Sequence, residues 1–426
     1  MGFARGGFMR RKVFIASAAA GASALAFGAP AFIPQRGEAA EQIRIGMTNP
    51  LTGTYASLGQ SQMRGAQMAV EAWNKRGGVT GQEVTLLSED DAADPGVAVE
   101  KARKLVNQGK ATALIGTVSS ATTLSVSAAA NALGTVFIDM GGSADSMSGK
   151  DCKWSSFRTC KTAYQLTHAT GFTFQKKFGK RWYMITPDYA FGHGLAAGYA
   201  AVAEKVGATI IGNDLTPLGT TEFSSYLLKV QAAKPDVLIV NVSGNDFVNC
   251  MKQAETYGIL KTTPVGGPLM ELEGLWALPQ SARVGYWGVE WYFAGDAVLG
   301  KKRSALDFVH QYRERHGTPP TARSCFGYIT VDRLLAAMSA TKSTDAVKVA
   351  RALEGSEFDS PLWSGKAHIR KEDHQMMWPM WVAKVRPRGV PGDKYDTFEE
   401  FVRVDAEQIT VPVSEVNKTC SMAYPS

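Results

Sequence analysis

Residues 112–122 read TALIGTVSSAT, an apolar run of strand length that gives way at Gly116 to a segment rich in Ser, Thr and Ala. A buried strand running straight into a helix start is the repeating joint of parallel α/β architecture. Outward from this joint the same rhythm recurs, with strand-like runs at about 42–48 (QIRIGMT), 83–89 (EVTLLSE) and 135–139 (TVFID) and helical patterns between them. The first helical pattern spaces Met63, Ala66, Val70 and Trp73 by three and four residues, which marks a core-facing stripe. The second opens with Asp94 as N-cap and Pro95 as first residue, and sets Val99, Ala102 and Val106 on one face. Beyond residue 140 an irregular stretch intervenes, and the alternation restarts near 181–186, 208–212, 236–241, 263–266 and 283–289. Residues 301–353 are mainly helical, strands return near 366–370 and 376–385, and a turn-rich tail after 386 is expected to wrap on the surface. The expected class is α/β, as two successive parallel-sheet units with helices on both faces of each sheet.

Composition agrees with a folded chain: 426 residues, 45% hydrophobic, 20% charged and 10% aromatic, exclude disorder and coiled coil and leave room for two or three cores. The net charge is +7, but residues 1–40 hold Arg5, Arg10, Arg11, Lys12 and Arg36 against Glu38, so the rest carries only +3. A nucleic-acid partner thereby loses its electrostatic basis, and none is expected. Residues 10–31, RRKVFIASAAAGASALAFGAPA, combine a basic start, an Ala-rich apolar run and the A-x-A-like Ala29-Pro30-Ala31. This pattern reads as an export signal, with Arg10 and Arg11 approximating a twin-arginine motif, and predicts removal of residues 1–40 and a periplasmic location. An oxidising compartment permits bridges among Cys152, Cys160, Cys250, Cys325 and Cys420. Cys152 and Cys160, which enclose DCKWSSFRTC, are the expected pair. No C-x-x-C or H-x-x-H occurs, so no metal and no cofactor are expected.

Candidate binding residues cluster at the strand-to-helix joints. Ser119 and Ser120 offer hydroxyls where a helix start presents unpaired N–H groups, a ready carboxylate site, although the same residues also cap ordinary helices. Gly141 and Gly142 before Ser143 let backbone approach a ligand closely or make a plain turn. Tyr189 and Phe191, in the run from Pro187 to Gly194, are positioned to stack on a solute, and Tyr55 sits on the first strand-helix loop. Gly192, Gly194 and Gly198 read G-x-G-x-x-x-G, one residue too long for a dinucleotide fingerprint. His193 has no sequence-visible nucleophile partner, and G-x-S-x-G is absent. Tyr286, Trp287, Trp291 and Tyr292 form an aromatic cluster that serves a core or a cleft wall.

Together, IRIGMTNPLTGTYASLGQSQMRGAQMAVEAWNKRGGVTG, DDAADPGVAVEKARKLV, ALIGTVSSAT, DYAFGHG, TTEFSSYLLKVQAAKPDVLIV and MKQAETYGI resemble the leucine/isoleucine/valine-binding family of type I periplasmic solute-binding proteins, receptors of ATP-driven importers. The Asp188–His193 run, the Cys152 loop and a C-terminal cysteine also resemble a subgroup associated with aromatic acids and other non-amino-acid solutes. The resemblance implies two Rossmann-like lobes joined by three hinge crossovers, placed near Phe157, Tyr286 and Leu362. Lobe 1 would then comprise 41–157 plus 287–362, and lobe 2 would comprise 158–286 plus 363–426. It implies a ligand carboxylate on Ser120 with Ser119, the Gly141 carbonyl and Ser143 hydroxyl beside it, Phe191 from the second lobe, and contacts at Ser243 and Gly244. An acid that receives the ammonium of amino acids falls in GGPLMELEG, with Glu271 as the candidate. The implied activity is binding without catalysis by a monomer that closes around a small carboxylate, aromatic or hydrophobic, and docks on a membrane permease. A branched-chain amino acid or a small amide is the alternative ligand. A sensory module feeding a membrane receptor is the alternative role, and an exported hydrolase would require turnover dependent on Ser120 or His193.

Overall fold

The computed structural model describes residues 42–425 together with Gly2, so the export signal expected within residues 1–40 lies outside the described residues. Strands β1 (Ile43–Asn49), β2 (Val84–Asp90), β3 (Ala113–Gly116), β4 (Val136–Asp139) and β5 (Ser156–Arg158) form a wholly parallel sheet in the order β2-β1-β3-β4-β5. β3 and β4 are buried along their whole length, which is why they read as unbroken apolar runs. Helices α1 (Ala56–Asn74), α2 (Pro95–Asn107) and α3 (Ser120–Ala132) connect them. In α1, Ala66 and Val70 are buried and Met63 and Trp73 pack half-buried against the core. Asp94 caps α2 by accepting from the Val97 N–H. The buried face of α2 is Ala98, Ala102 and Leu105, rotated by about one residue from the face expected through Val99 and Val106, because the larger Leu105 takes the core position.

A second, seven-stranded sheet contains β6 (Arg181–Pro187), β7 (Thr209–Thr216), β8 (Val237–Val240), β9 (Val265–Gly267) and β10 (Tyr286–Val289). Its helices are α4 (Ala163–Lys177), α5 (Ala190–Val206), α6 (Ser224–Ala233), α7 (Gly244–Thr256), the short α8 (Ile259–Thr262) and α9 (Leu272–Ala277). The chain then returns to the first lobe with α10 (Arg303–His316), α11 (Ala322–Thr341) and α12 (Ala346–Leu353), and with a small antiparallel sheet of β11 (Glu357–Asp359), β12 (Lys366–Ile369) and β13 (Met376–Met377). α11 packs on α1 at backbone distance. A Cβ at Gly65 would lie 1.9 Å from the Ser324 carbonyl, and one at Gly327 would lie 2.0 Å from that of Gln62. β14 (Met380–Val385), antiparallel to β10, and β15 (Phe398–Val404), antiparallel to β14, complete the seven-stranded sheet in the order β15-β14-β10-β9-β8-β6-β7. Two short helices, α13 (Ala406–Ile409) and α14 (Val413–Thr419), end the chain.

The chain therefore changes sheet after Arg158, after Val289 and before Met380. Phe157 lies in β5, Tyr286 opens β10, and Leu362 falls between β11 and β12, whose small sheet bridges to Arg158 through Gln375 and delays the third passage. The three passages brace one another. Glu290 accepts from the Lys161 N–H at 3.0 Å, the Lys161 ammonium donates to the Trp378 carbonyl at 2.5 Å, and the Trp378 indole donates to the Thr159 carbonyl at 3.1 Å.

The expected Cys152–Cys160 bridge is corrected by the structure. Cys152 pairs with Cys420, with Cα atoms 5.6 Å apart and 268 residues between them. The extended β5 separates Cys152 from Cys160 and carries the latter inward, where its buried thiol faces the Gly142 carbonyl at 3.4 Å. α14 meanwhile brings Cys420 back to Cys152. Among the described residues no helix is long and apolar enough to cross a membrane.

Candidate functional site

The C-terminal ends of β1, β3 and β4 in one lobe face those of β6, β8 and β9 in the other, and all but that of β4 hand over to an α-helix start. After β1, Tyr55 closes the loop before α1; it is buried, and its hydroxyl lies 2.6 Å from that of Tyr189, which precedes α5 after β6. Burial, with the neighbouring Tyr189 second, holds the Tyr55 phenol well above its ordinary pKa, and burial does the same to Tyr189, so both stay neutral donors. The Phe191 ring lies 6.1 Å from that of Tyr189 and supplies an apolar wall. After β3, Ser119 takes the N-cap position of α3 without a side-chain cap bond, and Ser120 accepts from the Ser143 N–H at 3.0 Å.

The loop after β4 is shaped by Asp139, whose Oδ1 accepts from the N–H groups of Gly141 and Gly142 at 3.1 and 2.9 Å. Arg158 clamps the other oxygen of Asp139 at 3.1 Å. This turns the Gly141 carbonyl and Ser143 toward the cleft. Gly141 has no room for a side chain, since a Cβ would sit 2.6 Å from the Thr117 carbonyl as well as 2.4 Å from Nη1 of Arg323. From the other lobe come Ser243, the N-cap residue of α7, whose Oγ is buried without a hydrogen-bond partner among the described residues, and Gly244 at φ +61°. A Cβ on Gly244 would lie 2.5 Å from the Thr54 carbonyl and 2.7 Å from the Tyr55 ring. The Asn245 N–H crosses between the lobes to that same carbonyl at 3.2 Å.

Tyr55, Val118, Gly141, Ser143, Tyr189, Phe191, Ser243 and Arg323 line a cavity with about 250 Å³ of atom-free space, its opening to solvent included. Ser119, Ser120, Gly244 and Glu271 do not line it. Ser120 holds Ser143, Gly244 packs on Tyr55, and Glu271 holds Arg323. Of the sequence-derived candidates, six therefore reach the cavity and four stand behind them.

Arg323 escaped the sequence reading. It lies in the first turn of α11, within the Thr321–Ser324 capping box, and is 4% exposed. Its Nε donates to Oε1 of Glu271 at 2.9 Å, and Nη2 donates to the same oxygen. Nη1 faces the Gly141 carbonyl at 3.4 Å, a long contact. Burial disfavours the guanidinium charge, but Glu271 outweighs it and leaves the pKa above the ordinary value. A sequence signal existed: an arginine in a helix's first turn opposes the helix dipole, so it needs an anion elsewhere. Glu273 stands close by. Burial, and after it the charge of Glu271, pushes its pKa up to about 7, and it accepts from the Thr321 hydroxyl at 2.7 Å.

The remaining motifs lie elsewhere. His193 pairs with Asp188 at 2.8 Å on the surface, with more than half of each side chain exposed. Gly192 and Gly198 serve packing, with Cβ positions 1.9 Å from the Pro187 carbonyl and 2.2 Å from the Thr167 hydroxyl. Trp287, Trp291 and Tyr292 are core residues.

Two α/β lobes joined by three chain passages, with helix starts converging on a small cavity between them, define a two-lobed solute-binding protein. The chain belongs to the periplasmic binding protein family, whose sequence model matches residues 42–390. It is similar to the Leu/Ile/Val-binding protein homolog 8 of Brucella abortus, 26% identical over 328 residues, which are 73% of this chain and 80% of the relative. Its structure is similar to that of an amino acid ABC transporter substrate-binding protein from Pseudomonas fluorescens, with a TM-score of 0.80, 28% identity, and coverage of 89% of this chain and 99% of that one. It also resembles a solute-binding protein of an ABC transporter from Rhodopseudomonas palustris, solved in complex with 3,4-dihydroxy benzoic acid, with a TM-score of 0.76, 22% identity, and coverage of 86% and 98%. The protein is thus a periplasmic binding protein of the ABC transporter type, a binder of small solutes rather than an enzyme, and its family is one of exported proteins that serve a membrane permease.

Proposed function

We propose that this receptor takes a small carboxylate whose remainder is aromatic or apolar and which carries no ammonium, and that it delivers this solute to the permease of an importer. One observation carries the reading: Glu271, the acid expected to receive an ammonium, is already paired with Arg323 in a buried position. A ligand ammonium buried beside a neutralised pair would cost several kcal/mol. A carboxylate instead meets the Nη1 edge of Arg323 and the Ser143 and Ser243 hydroxyls. Tyr189, Phe191, Tyr55 and Val118 would hold its apolar part. The fold of the Rhodopseudomonas palustris protein accommodates a ring acid, which supports this assignment. The lobes meet through the contacts from Tyr55 to Tyr189 and from Thr54 to Asn245 and leave little free room between them, so in this reading the solute enters when the lobes part about the braced passages near Lys161, Glu290 and Trp378.

The test is a calorimetric titration of protein freed of co-purified solute, using benzoate, 4-methylpentanoate and leucine. Both acids are expected to bind, with leucine at least about tenfold weaker. Leucine binding tenfold tighter than either acid overturns the assignment and returns the protein to amino acid transport.

A further inference from the structure

Glu271 and Arg323 reach the cleft from opposite lobes, Glu271 from the loop between β9 and α9 and Arg323 from the first turn of α11. The pair is asymmetric. Nε and Nη2 of Arg323 both spend their hydrogen bonds on Oε1 of Glu271, while Nη1 lies at the cavity wall with only the long contact to the Gly141 carbonyl. The arginine therefore cancels the charge of a buried carboxylate with one edge and offers N–H donors to the cavity with another. Its position is built rather than incidental. Glycine at 141 leaves space for the guanidinium, and the backbone-close packing of α1 on α11 at Gly65 and Gly327 holds the helix that carries it.

Without the arginine, Glu271 would stand just behind the cavity wall as a buried, unpaired carboxylate, which calls for a cation. We infer that Arg323 is the specificity-determining residue of the cleft: an internal cation that occupies Glu271 in place of a ligand ammonium and converts a zwitterion site into an anion site. This inference rests on the carboxylate reading above and deepens it by naming the residue that decides between acid and amino acid.

The probes are 4-methylpentanoate and leucine, which share a carbon skeleton and differ by the ammonium. Three single variants, each checked for cooperative unfolding, are titrated with both. Arg323→Met is expected to lose at least about tenfold in affinity for the acid and to gain leucine binding until leucine is the tighter ligand. Arg323→Lys keeps a cation on Glu271 and is expected to retain the order of preference, acid before leucine. Glu271→Gln releases the arginine from its partner and is expected to tighten the acid at least threefold, by roughly 0.6 kcal/mol or more; it keeps the test decisive should Arg323→Met fail to fold. A folded Arg323→Met protein that binds the acid within threefold of the natural protein and gains no leucine overturns the inference while leaving the carboxylate reading intact. Glu271→Gln weakening the acid tenfold also overturns it, because Glu271 would then act on the ligand directly. If the natural protein itself prefers leucine, the carboxylate reading fails first, so the two failures are distinguishable.

Discussion

Asp91, immediately after β2, accepts from the Ala93 N–H at 2.9 Å through one carboxylate oxygen, while the other is buried with no partner among the described residues. Burial pushes its pKa up to about 7. The ordinary value in an unfolded chain is about 3.9, so between pH ~4 and ~7 the folded state keeps a proton that the unfolded state has released. Stability from this group is therefore lost as pH rises through that window and is level above it. Asp91→Asn, which keeps the acceptor for Ala93, is expected to stabilise the protein at pH 8 by about 1–3 kcal/mol and to leave it unchanged at pH 4. Calorimetric melting at the two pH values checks this, and equal shifts at both would refute it. At the same scale, Tyr55, Ser143, Tyr189, Phe191 and Ser243 were legible because each follows a strand that the apolar pattern locates, and parallel sheets gather such positions at one edge. Arg323 was not, because its meaning depends on Glu271, 52 residues away and on the other lobe.

Where elements meet, the start of α7 lies against the loop between β1 and α1, and Gly244 is the point of contact. Its φ of +61° and the closeness of Thr54 and Tyr55 act on different states. The left-handed conformation is a cost of about 1 kcal/mol for alanine in any state, whereas the overlap with Thr54 and Tyr55 exists only while the lobes touch. Gly244→Ala is accordingly expected to lower ligand affinity at least tenfold, roughly 1.4 kcal/mol, with only a small drop in the melting temperature of the ligand-free protein. A large drop in melting temperature with affinity preserved would show that the contact is not part of closure. Most of the strands buried on both faces matched their expected positions to within a residue or two, β10 starting three residues later than expected, while the partly exposed edge strand β7 runs on to Thr216, four residues past its expected end. β5 escaped notice because three residues carry too little pattern. β15 was hidden because only Phe398 along it is buried, as befits an edge strand.

Across the whole molecule, the tail ties one lobe to the other. It leaves β15 of the seven-stranded sheet, passes through α13 and α14, and reaches the first lobe through the Cys152–Cys420 bridge. Tyr424 then packs on Trp154 with ring centroids 5.4 Å apart and donates to Glu354 at 2.6 Å. A crosslink closing so long a loop restricts the unfolded chain, so Cys420→Ser is expected to destabilise the protein by about 2–4 kcal/mol in urea unfolding. Reduction of the natural protein should produce a similar loss. No change on reduction would mean that Tyr424 and the surrounding contacts hold the tail without the bridge.

The amino-acid sequence by itself determined the α/β class, most of the strands and the joints from which seven of the eight cavity residues come, because hydrophobic periodicity and capping are local properties of the chain. Only the tertiary structure decided the disulfide partner of Cys152, the point at which the chain passes to the second sheet for the last time, and the union of Arg323 with Glu271. Each of these joins residues far apart in sequence, and such a contact is set by how elements pack in space, which no local pattern encodes.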